Sequence, residues 1–318
     1  MPRSRAALDD VHLRRSRFLA ALAGGDEPEL VRVLGWLWDA VAGPVLDGLG
    51  LTGPPGDGRP WPRVWWCPSG PLASLPLHAA GHHRTRADPV PRTVIDRVVS
   101  SYTPTVRALV HARRPRPAGA RGGDRIMVVA MPRTPGRASL PGVRREVRMI
   151  DELFGGRFTA FEDPGRDDIL GELPAYPWAH FGCHAVSSLD DPSGSRLLLR
   201  DHESRPLAIT DIVRLRLDRA EFAFLSACST ARAGAALADE AIHLTSSFQL
   251  AGYRHVIGTL WKIADRHAVA VAADVYGALA RAGTADGAAE ALHAATRALR
   301  ARLADWPSTW AAHIHSGA

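Results

Sequence analysis

Residues 221–228 read EFAFLSAC. Phe222 to Leu225 is an unbroken apolar run, the pattern of a strand buried on both faces rather than on one. Similar short runs recur through the second half of the chain: IMVVAMP (126–132), RFTAF (157–161), WAHFGCH (178–184) and HVIGTLW (255–261). Between them the apolar period changes to that of a helix. VRREVRMIDELF (143–154) places Val143, Val147, Ile150 and Phe154 on one face. Further helices are predicted over 166–173, over 210–217 with Thr210 as N-cap, and over 238–252, stopped by Gly252. Two alanine-rich helices follow, near 265–282 and 285–304. Strands alternating with helices imply parallel pairing in a doubly wound α/β sheet. Right-handed crossovers then place the strand carboxyl ends on one edge, where the sites of such sheets lie.

The first half is less regular. Residues 1–22 are charged and partly helical, and 27–50 set Leu30, Val33, Leu34, Leu37, Trp38 and Val41 at helical spacing. VWWCP (64–68) and DRVVSSY (96–102) read as strands, and TVRALVHAR as a short helix. RPRPAGARGGD (114–124) has no apolar period and reads as a linker. The expected division is therefore a supporting part, 1–117, and a second part, 118–318. Trp61, Trp65 and Trp66 flank a strand and are read as packing residues, and His82-His83 as part of a solvated loop.

Composition narrows the function classes. Over 318 residues, 46% are hydrophobic and 23% charged, the balance of a globular protein. No run approaches the roughly 20 apolar residues of a membrane span, and the N-terminus shows no apolar signal core. Cys67, Cys183 and Cys228 are too few and too far apart for a disulfide scaffold, which suits the cytoplasm. The net charge is +6, but of 39 basic residues only Lys262 is lysine, and the arginines are scattered apart from Arg113, Arg114, Arg116 and Arg121. A phosphate-binding face would concentrate them, so nucleic acid is not the expected partner. There is no phosphate loop and no serine-hydrolase elbow, and no cofactor is expected. His180, Cys183 and His184 make a poor zinc set, because neighbouring strand residues face opposite ways; no metal is expected.

Two side chains with nucleophile and base chemistry stand at strand carboxyl ends: His184 closes WAHFGCH and Cys228 closes EFAFLSAC. If the two strands are neighbours, both emerge at one edge. An imidazole can promote the thiolate that a cysteine nucleophile needs. The backbone N–H groups of Cys228 and Ala185 would then face a developing oxyanion. A strand-end cysteine is also commonly a packing residue, and spacing alone leaves both readings open. His180 reads as a strand residue satisfied by a neighbour.

HFGCHA (180–185) and FLSACST (224–230) resemble the HFACHG and VLSACET motifs of CHAT-domain proteins, caspase-like cysteine proteases related to separase. In the family's order, CPSGPLASLPLHAA (67–80), LPGVRREV (140–147), FQLAGYRHVIGTLWKIAD (248–265) and WAAHIHSG (310–317) are similar to further family segments. The resemblance spans roughly residues 30–317. It implies a caspase-like three-layer α/β/α sandwich with a mostly parallel sheet and a degenerate caspase-like N-terminal subdomain. It implies peptide-bond hydrolysis, with His184 as the base and Cys228 as the nucleophile. Asp265, four residues after Trp261, matches the position at which relatives hold a basic P1 residue; it equally suits the start of a helix. The implied partners are a protein substrate and an activating protein, in bacterial defence or programmed cell death. The family glycine after the histidine is Ala185 here, which would be strained if that position needs a positive φ. That departure sustains the alternative of a catalytically silent caspase-like interaction scaffold. The family's GDE reads Ala238-Asp239-Glu240, and Ala231 stands where a glycine is expected.

Overall fold

The computed structural model describes residues 2–56, 58–114, 125–186, 195–226 and 237–318, with the backbone alone over 2–8 and 237–243. Eleven strands are found among the described residues. They are β1 (Arg63–Trp66), β2 (Val99–Tyr102), β3 (Ile126–Ala130), β4 (Phe158–Glu162), β5 (Trp178–Gly182), β6 (His184–Val186), β7 (Arg196–Leu198), β8 (Leu207–Ala208), β9 (Phe222–Leu225), β10 (His255–Thr259) and β11 (His313–Gly317). Eight of them form one sheet in the order β1-β2-β11-β10-β9-β5-β3-β4, and β6, β7 and β8 form a small antiparallel sheet.

The expected mostly parallel α/β sheet is present. Every neighbouring pair in the large sheet is parallel except β10–β11. That one antiparallel step corrects the expectation of a single shared edge. β10, β9, β5, β3 and β4 point their carboxyl ends to one edge, and β11, β2 and β1 point theirs to the other. The strand that makes the reversal, HIHSG, has no long apolar run, and its pattern did not announce it. The proposed division at 117/118 lies outside the described residues.

Period-2 side-chain alternation builds the three layers. Ile126, Val128, Trp178, Phe222, Phe224 and Ile257 enter one core, with Ile150 and Phe154 of α5 (Pro141–Phe154), Val271, Val275 and Tyr276 of α9 (Asp265–Ala282), and Leu292 and Leu299 of α10 (Ala288–Arg302). Met127, Val129, Ala179, Phe181, Ala223, Leu225 and Val256 enter the other, with Ile169 of α6 (Arg166–Glu172), Ile212 of α7 (Ile209–Arg214), and Leu244 and Phe248 of α8 (Leu237–Ala251). The first core continues into α1 (Pro2–Gly24) and α2 (Glu27–Leu37) through Phe18, Leu30, Val33 and Leu34. The remaining helices are α3 (Gly43–Gly48), α4 (Val106–Ala112) and α11 (Pro307–Trp310).

Local chemistry sets the ends. α8 stops at Gly252, whose φ of 127° few other residues adopt; a Cβ there would also stand 2.3 Å from the Leu217 carbonyl oxygen. α7 starts two residues earlier than expected. Its N-cap is Ala208, whose N–H donates to Asp211 at 3.2 Å, and Thr210 lies inside the helix. The tryptophans pack as expected: Trp65 Nε1 donates to the Gly317 carbonyl at 2.8 Å, and Trp66 is buried. His83, in contrast, is buried against Trp310 and bonded to the Ala79 carbonyl, so it is not in a solvated loop.

A nearly buried ion pair links α10 to the segment before β2. Arg300 on α10 meets Asp96, just before β2, with contacts of 2.8 and 2.6 Å. Burial opposes ionisation of Asp96, but the Arg300 fork, the Thr93 hydroxyl and Arg297 outweigh it and hold the carboxyl below its ordinary range. Asp96→Asn is expected to strand the guanidinium and destabilise the fold by about 3 kcal/mol, read by urea denaturation; an unchanged midpoint would remove the pair from the stabilising contacts.

Candidate active site

β5 and β9 are parallel neighbours, with Trp178 beside Phe222 and Phe181 beside Leu225. The condition set by the sequence is met: the two motif strands end side by side. The path beyond the end of β5 differs from expectation. WAHFGCH is not one strand. β5 ends at Gly182, the chain bends at Cys183, and His184 opens β6, opposite Leu198 of β7. The bend is local: a Cβ on Gly182 would meet Val143 at 2.9 Å, so a side chain there would crowd α5. On β9, the Ser226 N–H donates to the Phe181 carbonyl at 3.1 Å, extending the ladder by one residue. Cys228 lies two residues further on, outside the described residues, as does Ala231. Asp239 and Glu240 lie on α8, of which only the backbone is described there.

His184 is 1% exposed. Its Nε2 lies 2.7 Å from the Ala138 carbonyl oxygen. A carbonyl only accepts, so Nε2 carries the proton and the neutral ring has its lone pair on Nδ1. Burial lowers the His184 pKa, and the Ala138 bond opposes this in part. The charges of Lys262 and Arg137 lower it further, and that of Asp265 raises it. The ring is therefore neutral at neutral pH, the state a base requires.

Ala185 occupies β6 opposite Leu197. Among the described residues, positive φ outside glycine is confined to Asp163 and Arg216, so alanine imposes no left-handed strain at position 185. Asp265 opens α9, directly after β10, and is partly exposed. Its Oδ2 accepts the Gly142 N–H at 3.0 Å, so the carboxylate binds the first turn of α5 as well as standing in the field of His184. Both readings of Asp265, helix end and substrate carboxylate, keep a place in this geometry.

A layer below lies a polar group that the motifs did not disclose. His180 is fully buried, as expected of a strand residue satisfied by neighbours: Nε2 is 3.2 Å from Glu146 Oε2 and Nδ1 is 3.1 Å from the Tyr276 hydroxyl. Ser226 Oγ donates to Glu146 Oε1. Glu146 is 2% exposed. Burial alone would raise its pKa, but the hydrogen bond and charge of His180 and the Ser226 bond more than offset this and lower it. The signal was present in the helix pattern: Glu146 lies next to Val147 and three residues after Val143, on the apolar face of α5.

Among the described residues, no group of three or more His, Cys, Asp or Glu side chains is placed to hold a metal ion. Cys67 is exposed, with its Sγ 3.5 Å from the Pro104 carbonyl oxygen, and Cys183 is buried. No described helix is long and apolar enough to cross a membrane.

Comparison with solved structures finds similarity to the Arg-specific cysteine proteinase gingipain R, with 8% identity and a TM-score of 0.49, covering 82% of this chain and 64% of that one. The complex of the pro- and mature domains of the Porphyromonas gingivalis protein matches equally, at 8% identity and TM-score 0.49, covering 82% of this chain and 65% of that one. The Saccharomyces cerevisiae separase–securin complex matches at 12% identity and TM-score 0.49, over 77% of this chain and 14% of that one. The chain thus spans less than two thirds of each of these proteins. No curated protein matches the sequence. The family model of the CHAT domain matches residues 31–318, nearly the whole chain, and the protein belongs to the CHAT-domain family.

Proposed function

We propose that the chain is a cysteine endopeptidase in which Cys228 is the nucleophile and His184 the proton acceptor. The observation that carries this reading is the state of His184: buried, neutral, and fixed by the Ala138 carbonyl in one tautomer, at the edge where β5 and its parallel neighbour β9 both end. In the proposed reaction the Cys228 thiol proton passes to His184 Nδ1, and the thiolate attacks the scissile carbonyl carbon. The N–H groups of Ala185 and Cys228 receive the oxyanion. Collapse breaks the C–N bond, the imidazolium protonates the leaving amine, and a thioester remains. Water, deprotonated by the same ring, releases the acid product and restores the thiol.

Asp265 is proposed to bind a basic P1 side chain, its carboxylate facing a guanidinium while retaining the Gly142 N–H. Residues 1–117 are proposed as the supporting part and 118–318 as the protease. The family resemblance motivates a protein substrate, control by a partner or activation step, and a role in bacterial defence or programmed death, and the sparse cysteines motivate a cytoplasmic setting.

The test is cleavage of fluorogenic peptides carrying Arg, Lys, Asp or Leu at P1, by the wild type and by Cys228→Ala. Thiol-dependent cleavage after Arg or Lys, abolished in the variant, is the expected result. Cleavage after Leu or Asp alone would keep Cys228 and remove Asp265 from specificity. Cleavage unchanged in Cys228→Ala would overturn the reading of the nucleophile. Silence of the wild type toward the peptides, with and without cell extract as a source of activator, would favour the interaction scaffold.

A further inference from the structure

Ser226 is the last described residue before Cys228, and its side chain is held from below. The hydroxyl donates to Glu146 Oε1, while the other carboxylate oxygen, Oε2, meets His180 Nε2 at 3.2 Å. The second ring nitrogen of His180 is closed by the Tyr276 hydroxyl at 3.1 Å. The ring also lies over Phe224, with centroids 5.5 Å apart and planes 20° apart. All four residues are buried, Glu146, His180 and Tyr276 to within 2% of complete burial. Each comes from a different element: Glu146 from α5, His180 from β5, Tyr276 from α9, and Ser226 from the end of β9.

A carboxylate in such a place is costly unless its lone pairs are used, and here donors reach both oxygens. Packing alone would be served as well by apolar residues of the same size. A fully satisfied polar group instead allows only one arrangement of its members. What this one fixes is the step at which β9 becomes the nucleophile segment. The Ser226 main chain is bonded to Phe181 of β5 and its side chain to α5, so position 226 is held in two directions. α5 is itself registered one turn earlier, where Asp265 binds the Gly142 N–H.

We propose that Glu146, His180, Tyr276 and Ser226 form a positioning group that sets the departure of the chain toward Cys228, and with it the approach of the thiol to His184. The group touches no substrate; it acts through position 226. The proposal rests on the dyad reading above, and its test separates the two.

The readout is the rate of iodoacetamide alkylation of Cys228 against pH in the full-length protein, followed by mass spectrometry of tryptic peptide 220–232, which contains Cys228 but neither Cys67 nor Cys183. Ser226→Ala removes one hydroxyl from the group. It is expected to slow alkylation at pH 7 about fivefold or more by raising the apparent thiol pKa toward the free value of about 8.5, with a lowered thermal midpoint that still leaves the protein folded at the assay temperature. Ser226→Thr, which keeps the hydroxyl, is expected to recover most of the wild-type rate. On a cleaved peptide, Ser226→Ala should lower kcat with KM nearly constant. Identical alkylation profiles for wild type and Ser226→Ala overturn the proposal, whatever the peptides show. A Ser226-dependent profile in a protein that cleaves nothing keeps the positioning group and removes the protease reading instead. Equal slowing in Ser226→Ala and Ser226→Thr points to packing and counts against the hydroxyl.

Discussion

Lowering the pH from 7 to 4 is expected to unfold this protein. Its buried histidines set the window. Burial lowers His78, His83 and His313 from 6.5 to about 4. His255 and His315 are lowered in the same direction, again chiefly by burial. In the unfolded chain these rings take up protons as the pH falls through 6.5; in the folded protein they do not until about pH 4. The unfolded state therefore binds more protons throughout that interval, and stability falls as pH falls. A ring lowered from 6.5 to about 4 contributes up to roughly 3 kcal/mol at about 1.4 kcal/mol per unit. Three such rings approach the whole stability of an ordinary domain, about 5–15 kcal/mol. Asp96 and Glu146 have lowered pKa values, so their contribution holds through most of this window and begins to be lost as the pH falls through the ordinary carboxylate range at its lower end. Urea denaturation followed by tryptophan fluorescence at pH 7, 6, 5 and 4 measures the slope. His313, whose ring nitrogens have no hydrogen-bond partner among the described residues, supplies the control: His313→Leu should flatten the slope by about one proton, near 1.4 kcal/mol per pH unit. Stability that is constant between pH 6.5 and 4.5 would contradict the burial argument.

Replacing His184 is expected to have the largest effect on catalysis. If His184 Nδ1 receives the thiol proton, losing the ring removes general-base and general-acid catalysis together, a factor of about 10²–10⁴ in kcat/KM. Because burial and the Lys262 and Arg137 charges lower the ring's pKa, the acid limb of the pH–rate profile should lie below 6.5 rather than at it. The tautomer gives a sharper test. His184→Gln places an amide N–H near the position of Nε2, where it can keep the bond to the Ala138 carbonyl, while supplying no base on the Nδ1 side. It should retain thermal stability and lose activity. His184→Ala should lose both, since it also leaves the Ala138 carbonyl without its donor. Activity surviving in His184→Gln would mean that the proton leaves Cys228 by another route.

The longer strands and helices of the second half were readable from the chain because each is specified by its own residues; β7 and β8, only three and two residues long, were not. Continuous apolar runs such as IMVVA and FAFL need burial on both faces, and a period-2 or period-3.6 pattern states this locally. The adjacency of β5 and β9 was only a condition in the sequence, met by the observed sheet order, and the motifs resembling the CHAT family pointed to His184, Cys228 and Asp265. The reversed strand β11 was not readable. HIHSG is short and polar, and it is buried only because β2 and β10, distant in sequence, close on its two sides. The break between Gly182 and His184 was hidden as well: WAHFGCH has the pattern of one strand, and its last residues pair instead with β7, another segment of the chain. His83 read as loop because the residues that bury it, Trp310 and Arg300, lie more than two hundred positions away.

Composition, pattern and motif order thus determined the α/β class, the sheet edge that carries the candidate site, and the residue types with nucleophile and base chemistry. Tertiary structure alone decided the tautomer and charge state of His184, the absence of strain at Ala185, and the assembly of Glu146, His180, Tyr276 and Ser226. The reason is physical. Secondary structure follows from near-neighbour sterics and periodic burial, whereas a pKa, a tautomer or a buried hydrogen-bond network depends on which distant groups exclude water from the same few ångströms.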